Sequence, residues 1–162
     1  MSVRKIRISP DPVLRQKAKK VSKIDESIQR LIDDMIETMR AAPGVGLAAN
    51  QIGVPLKIAV IEIPGEEVIV LVNPEIIKRE DERIIVEACL SVPGYQGEVN
   101  RSVQVKVKAR DRKGHGIRIK GEELLAQALE HEIDHLNGIL YIDKVEPEKL
   151  HKIEPESGQE GL

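Results

Sequence analysis

The chain contains no phenylalanine and no tryptophan, and tyrosine occurs only twice. The aromatic platforms on which single-stranded nucleic acids stack are therefore nearly absent, and the core has to be built from Ile, Leu, Val and Ala. Cysteine occurs once, at Cys89, so no internal disulfide can form and nothing calls for an oxidising compartment. No window approaches the roughly 20 apolar residues of a membrane span. The opening Met1 to Ile8 carries basic residues with no long apolar stretch behind them, and does not read as a secretory signal. A basic surplus is missing too: the formal net charge is −2, which gives no support for DNA or another nucleic acid as the main partner. Together these absences point to a soluble protein, with a cytoplasmic enzyme the simplest reading.

What is present fits a single domain, because 162 residues are enough to bury one core. Asp11, between Pro10 and Pro12, suits the cap of a short helix. Ile28, Leu31, Ile32, Met35, Ile36 and Met39 recur at three- and four-residue steps. That spacing predicts an amphipathic helix, with Asp25 and Glu26 at its positive end and Pro43-Gly44 as its stop. Strand patterns follow at Leu56 to Ile63 and Val68 to Val72, the second stopped by Asn73-Pro74. Ile76 to Lys78 and Arg83 to Val86 read as a pair joined through Glu80-Asp81-Glu82. Ser102 to Arg110 turns through Asp111 to Gly114 into Gly116 to Lys120. A second helix is expected from Gly121 to about Asn137, ended by Gly138. Helix, strands, then helix, without βαβ alternation, predicts the α+β class: mainly antiparallel β-sheets packed around the C-terminal helix, with an N-terminal helix. Residues 1–145 form the expected domain. Residues 146–162 read as a polar tail, with a short helix over Pro147 to Ile153 and disorder from Glu154 onward.

The last helix contains His131-Glu132-Ile133-Asp134-His135. Histidines four apart share one helix face, one turn from each other, so both imidazoles reach one metal ion. Glu132 beside them is placed to take a proton from water. Leu124, Ala128, His131 and His135 form one stripe, and Ala128, Glu132 and Leu136 the next, on the side that faces the expected core. A buried, unpaired carboxylate costs roughly several kcal/mol, so it needs a partner or a role. The plain alternative is a helix with two satisfied histidines and one buried ion pair. Two histidines leave a metal short of ligands, since catalytic zinc sites have three plus water. His115 and His151 fall in a hairpin and in the polar tail and read as surface residues. Cys89 is the better third candidate, because a thiolate is a strong soft ligand; its alternative is a small buried hydrophobe. A zinc peptidase with the same helix pattern would recruit a ligand downstream, where Asp143, Glu146 and Glu148 are poor candidates. A metal-binding protein without catalysis is the third reading.

Three segments together resemble the three motifs of the peptide deformylase family: Gly44-Val45-Gly46-Leu47-Ala48-Ala49-Asn50-Gln51, Glu87-Ala88-Cys89-Leu90-Ser91, and His131 to His135. Pro10 to Arg15 and Asn73-Pro74-Glu75 add supporting matches, and the resemblance spans residues 1–145. One departure is Ala88, where the family usually has glycine; alanine disfavours positive φ. The resemblance implies one divalent metal bound by Cys89, His131 and His135, with water as fourth ligand. Ferrous iron is the family's usual ion in vivo, and zinc, nickel or cobalt can replace it. It further implies Glu132 as general base and then acid, with Gln51 and the Leu90 N–H stabilising the oxyanion. Gly44 and Gly46 would pair with the peptide in strand fashion. Val45, Ile85, Leu124 and Ala128 would line the formyl-methionine pocket, with Gln127 near it, and Glu87 would stand behind the site together with Arg101. The implied reaction is hydrolysis of the N-formyl group from newly made proteins, with release of formate. The implied partners are N-formyl-methionyl nascent peptides and the ribosome, with no direct DNA and no membrane partner.

Overall fold

The computed structural model describes residues 2–153. The first helix, α1 (Glu26–Ala41), starts where Asp25 accepts the Ile28 N–H at 3.1 Å. All six apolar positions of its predicted face are buried, packed with Leu47, Ile52, Ile58, Val60 and Val72. Burying such side chains contributes about 1.5–3 kcal/mol each, far more than intrinsic propensity supplies, so this face is what holds the helix. Asp11 caps a 3₁₀ turn over Pro12–Arg15 by accepting the Val13 N–H.

Six strands follow: β1 (Gly46–Ala48), β2 (Ile58–Ile61), β3 (Ile69–Cys89), β4 (Val92–Arg110), β5 (Gly116–Glu122) and β6 (Leu150–Lys152). They pair in the order β1-β2-β3-β4-β5, with β6 added on β4, and every pairing is antiparallel. The β4–β5 turn is the expected one: Asp111 accepts the N–H groups of Lys113 and His115, and Gly114 takes φ +87°.

The expected break at Asn73-Pro74 and the expected turn at Glu80 to Glu82 do not occur. Both segments lie within the single strand β3. The ladder shifts register between Val72 and Glu75, so Pro74 sits where no ladder N–H is needed. Asn73 at φ +53° uses its side chain to accept the Val21 N–H and donate to the Val21 carbonyl. Asp81, at φ +55°, bends the strand without changing register, because Glu80 pairs with Gln104 and Glu82 with Ser102. Turn-forming residues here bend a strand rather than end it.

The second helix, α2 (Glu123–Leu136), begins later than expected, because Gly121 is still paired to Val105 in β5. Every residue from Ala126 to Leu136 is buried. Ala126, Ala128, Leu129 and Ile133 pack on Val105, Val107 and Ala109, so the sheet wraps a helix that has no solvent face along this stretch. It is too short to cross a membrane, as is every other helix among the described residues. The helix expected over Pro147 to Ile153 is replaced by a 3₁₀ turn at Pro147–Lys149 and then β6, whose residues pair with Tyr95, Gln96 and Gly97. The disorder expected from Glu154 onward lies outside the described residues.

Gly138 ends α2 at φ +77°, and a Cβ there would stand 2.5 Å from the Arg15 carbonyl oxygen. Gly138→Ala is expected to lower stability by about 1–3 kcal/mol, read as a lower urea midpoint with unchanged slope.

Candidate active site

Two elements build the site. α2 presents His131 and His135 one turn apart, and their Nε2 atoms lie 3.1 Å from each other. β3 delivers Cys89 at its last residue, with Sγ 3.3 Å from His135 Nε2. The three ligand atoms lie within 4.8 Å of one another, and all three residues are buried. Around one ion with Zn–N near 2.1 Å and Zn–S near 2.3 Å, tetrahedral edges would be about 3.3–3.6 Å. The His–His and Cys–His separations come close to that size, and the donors fit a borderline or soft divalent cation rather than magnesium or calcium.

Behind the ligands lies a charged cluster away from solvent. Glu87 Oε2 accepts the His131 Nδ1–H at 2.6 Å, which turns the Nε2 lone pair toward Cys89 and His135. Arg101 donates to both Glu87 oxygens, at 3.0 and 2.6 Å, and through Nη1 to Asp134 at 2.8 Å. Gln127 donates to Glu87 at 3.1 Å, and Lys144 pairs with Asp134 at 2.8 Å. Burial alone would raise the Glu87 pKa, but His131 and Arg101 hold it well below the usual carboxylate range. Burial works against a charged His131 as well, and the Glu87 carboxylate outweighs it, keeping the ring's pKa above its ordinary value. His135 is held below its ordinary value by burial and by the charge of His131.

Glu132 is fully buried beside the ligands, and neither carboxylate oxygen has a hydrogen-bond partner among the described residues. Burial pushes its pKa up to about 7. β1 comes so close that a Cβ on Gly46 would stand 2.5 Å from Glu132 Oε2. Gln51 lies near Cys89. Its Oε1 accepts the Ala48 N–H at 2.9 Å, and its Nε2 donates to Ser91 Oγ at 3.0 Å and stands 3.8 Å from Cys89 Sγ.

The other expected residues are less uniformly gathered. Leu90 follows Cys89 directly and is half-buried; Gly44 and Val45 lie in the loop just before β1. Val45 and Ala128 share one apolar cluster, and Ile85 packs in the cluster that holds Cys89. Leu124 is 36% exposed and belongs to neither. His115 and His151 are exposed, and Asp143 is engaged by Arg15 at 3.0 Å; among the described residues the only metal-ligand cluster is Cys89, His131 and His135. Ala88 is not among the residues with positive φ, so its methyl group meets no backbone strain.

Four partners escaped the reading of the sequence. Ser91 orients Gln51, Asp134 anchors Arg101, and Asn50 donates to the His135 carbonyl at 3.0 Å. Tyr141 stacks on His131 with ring centroids 6.3 Å apart. A signal for one of them existed: Asp134 stands at helical spacing with Gln127 and Glu130, and all three are buried.

A thiol and two imidazoles converging beside a fully buried carboxylate is the arrangement of a single-metal hydrolase. The comparisons give that class a family. The polypeptide deformylase family's sequence profile matches residues 3–151. The chain is 56% identical over 158 residues to a peptide deformylase of Dehalococcoides mccartyi, covering 96% of this chain and 95% of that one. A crystal structure of a peptide deformylase from Legionella pneumophila superposes with a TM-score of 0.88 at 52% identity, covering 90% of this chain and 88% of that one. The enzyme from Thermotoga maritima gives a TM-score of 0.87 at 39% identity, over 91% of this chain and 100% of that one. The chain belongs to the polypeptide deformylase family. Its activity is hydrolysis of the N-formyl group from the formyl-methionine that begins newly synthesised proteins, with release of formate, and it uses a single divalent metal ion.

Gly46→Ala should keep metal stoichiometry and lower kcat/KM by about a hundredfold, because the new methyl has to displace the Glu132 carboxylate. Unchanged turnover would show that Glu132 can move aside at no cost. Arg101→Leu, which takes the buried cation away from Glu87 and Asp134, should destabilise the fold by about 3–5 kcal/mol in equilibrium unfolding.

Proposed function

We propose that Cys89 Sγ, His131 Nε2 and His135 Nε2 hold the ion and that Glu132 is the group that moves protons. The observation carrying this reading is the fully buried Glu132 carboxylate with no protein partner, next to His131 in the chain. When bound, the ion supplies Lewis acidity, making water a nucleophile near neutral pH and polarising the formyl carbonyl. Glu132 takes the proton of the attacking water and returns it to the leaving amine. Charge developing on the formyl oxygen is met by the Gln51 amide, pre-oriented by Ala48 and Ser91, and by the Leu90 N–H. Donors of this kind are worth about 3–4 kcal/mol each at comparable sites. Excluding water from this buried pocket strengthens each of these interactions.

The peptide lies along Gly44, Val45 and Gly46 in strand fashion, since β1 is the terminal strand of the ladder order. Val45, Ile85, Leu124 and Ala128 take the methionine side chain. Ferrous iron is the ion used in the cell, with zinc, nickel and cobalt as substitutes that the same donors accept. Residues 1–145 are the catalytic domain, and 146–162 are a polar tail. The protein works in the cytoplasm on N-formyl-methionyl nascent peptides, docked near them on the ribosome.

Formate release from a short formyl-methionyl peptide tests the assignment, with protein prepared anaerobically with ferrous iron. Glu132→Gln should retain the metal and lose about 10²–10⁴ of turnover; near-normal turnover would refute Glu132 as acid and base. In the same preparations Cys89→Ser should change metal content and the spectrum of a cobalt-substituted form. An unchanged spectrum would remove Cys89 from the ligand set.

A further inference from the structure

A wide cleft lies apart from the metal site. It measures about 1250 Å³ and lies where the β3–β4–β5 ladder meets the C-terminal end of α2. Six cations line it: Lys20, Lys57, Arg79, Lys108, Arg110 and Arg118. Arg79 pairs with Glu130 at 2.9 Å. Among the described residues, the other five have no carboxylate oxygen within 4.0 Å. Two carboxylates also line the cleft, and one of them, Asp134, is already engaged by Arg101 and Lys144. The other, Glu75, faces Lys108 across the ladder without closing a salt bridge. On Lys108's other side the β4–β5 register sets Arg118 directly opposite it. Directly opposed like charges destabilise a strand pair. A chain of net charge −2 thus gathers unneutralised positive charge in one concavity, at a cost to its own sheet.

We propose that this cleft binds the phosphodiester backbone of folded RNA. An anionic polymer relieves the repulsion and matches several cations at once, releasing counterions as it does so. The lining contains no Tyr, Trp, Phe or Met. An acidic protein partner would find none of the aromatic anchors on which protein interfaces depend, and bases would find nothing to stack on. What remains is contact with phosphates, which positions a partner without reading sequence. The choice of RNA rests on the activity stated above, because nascent chains are made on RNA and their enzyme works beside it. The cleft touches α2 at Ile133, Asp134, Leu136 and Asn137, the end of the helix that carries the metal-site histidines. RNA held there leaves Cys89, Gln51 and β1 uncovered, since none of them lines the cleft.

The test is fluorescence anisotropy with a labelled short RNA hairpin, starting at about 50 mM salt, alongside formate release from a formyl-methionyl peptide. The wild type should bind with a log–log salt slope of about −3 to −5. Lys108→Glu/Arg118→Glu should weaken binding by about tenfold or more and reduce the slope by about two, with peptide turnover unchanged. Lys5→Glu/Lys17→Glu, the same charge change on exposed residues outside the cleft, should bind nearly as the wild type does. The proposal is overturned if the wild type fails to bind, if the cleft variant binds normally, or if both double variants lose affinity equally. Peptide turnover is read separately, so absent RNA binding with full turnover rejects the cleft and not the enzymatic activity.

Discussion

The Arg101 guanidinium, 2% exposed, is the interaction on which the site depends. It ties Glu87 on β3 to Asp134 on α2, and Glu87 in turn fixes the ring of His131. Two carboxylates, Arg101 and Lys144 come close to charge balance, which is what makes so much buried charge tolerable. Such a cluster contributes little net stability compared with an apolar core of the same shape. What it does secure is orientation. With Nδ1 committed to Glu87, His131 can offer only Nε2 to a metal, and the ring cannot turn without leaving a buried carboxylate unpaired.

The same constraint explains why β3 runs on for so long. Glu87 and Cys89 are both near its end, one reaching His131 and the other His135. Residues two apart on a strand share a face, so both side chains reach α2, and the extra residues of the register shift between them fall on β4. Arg101 enters from β4, the strand paired to this segment, so the ladder sets the distance between guanidinium and carboxylate. The helix meanwhile gives up its solvent face: Gln127, Glu130 and Asp134 are buried because each satisfies a group on the sheet that surrounds them. Glu132 is the exception. Neither of its oxygens has a hydrogen-bond partner among the described residues, which is why we propose it as the group that moves protons.

Much of this was legible in the residues. The face of α1 read correctly because apolar packing alone decides it, and the 3.6-residue period records that packing directly. His131, Glu132 and His135 were legible for the same reason, as a helix fixes their spacing without help from the rest of the chain. β3 misled because Asn73-Pro74 and Glu80-Asp81-Glu82 carry turn chemistry that the ladder absorbs as a bulge and a bend. Propensity is local, whereas twenty-odd residues of cross-strand pairing are not. Ser91 and Tyr141 stayed hidden, since a hydroxyl or a phenol becomes part of a site only through what the fold puts beside it.

The sequence by itself determined the α+β class, the two helices, the donors capable of holding a metal and the family to which the chain belongs. All of these are properties of residue type and short-range spacing. Only the tertiary structure decided that Cys89 meets the two histidines, that Glu132 is fully buried, and that Arg101 is buried behind them. It also decided that cations from Lys20 to Arg118 share one cleft in a chain of negative net charge. Those facts depend on contacts between residues far apart in the chain, and burial and electrostatic pairing exist only once the chain has closed on itself.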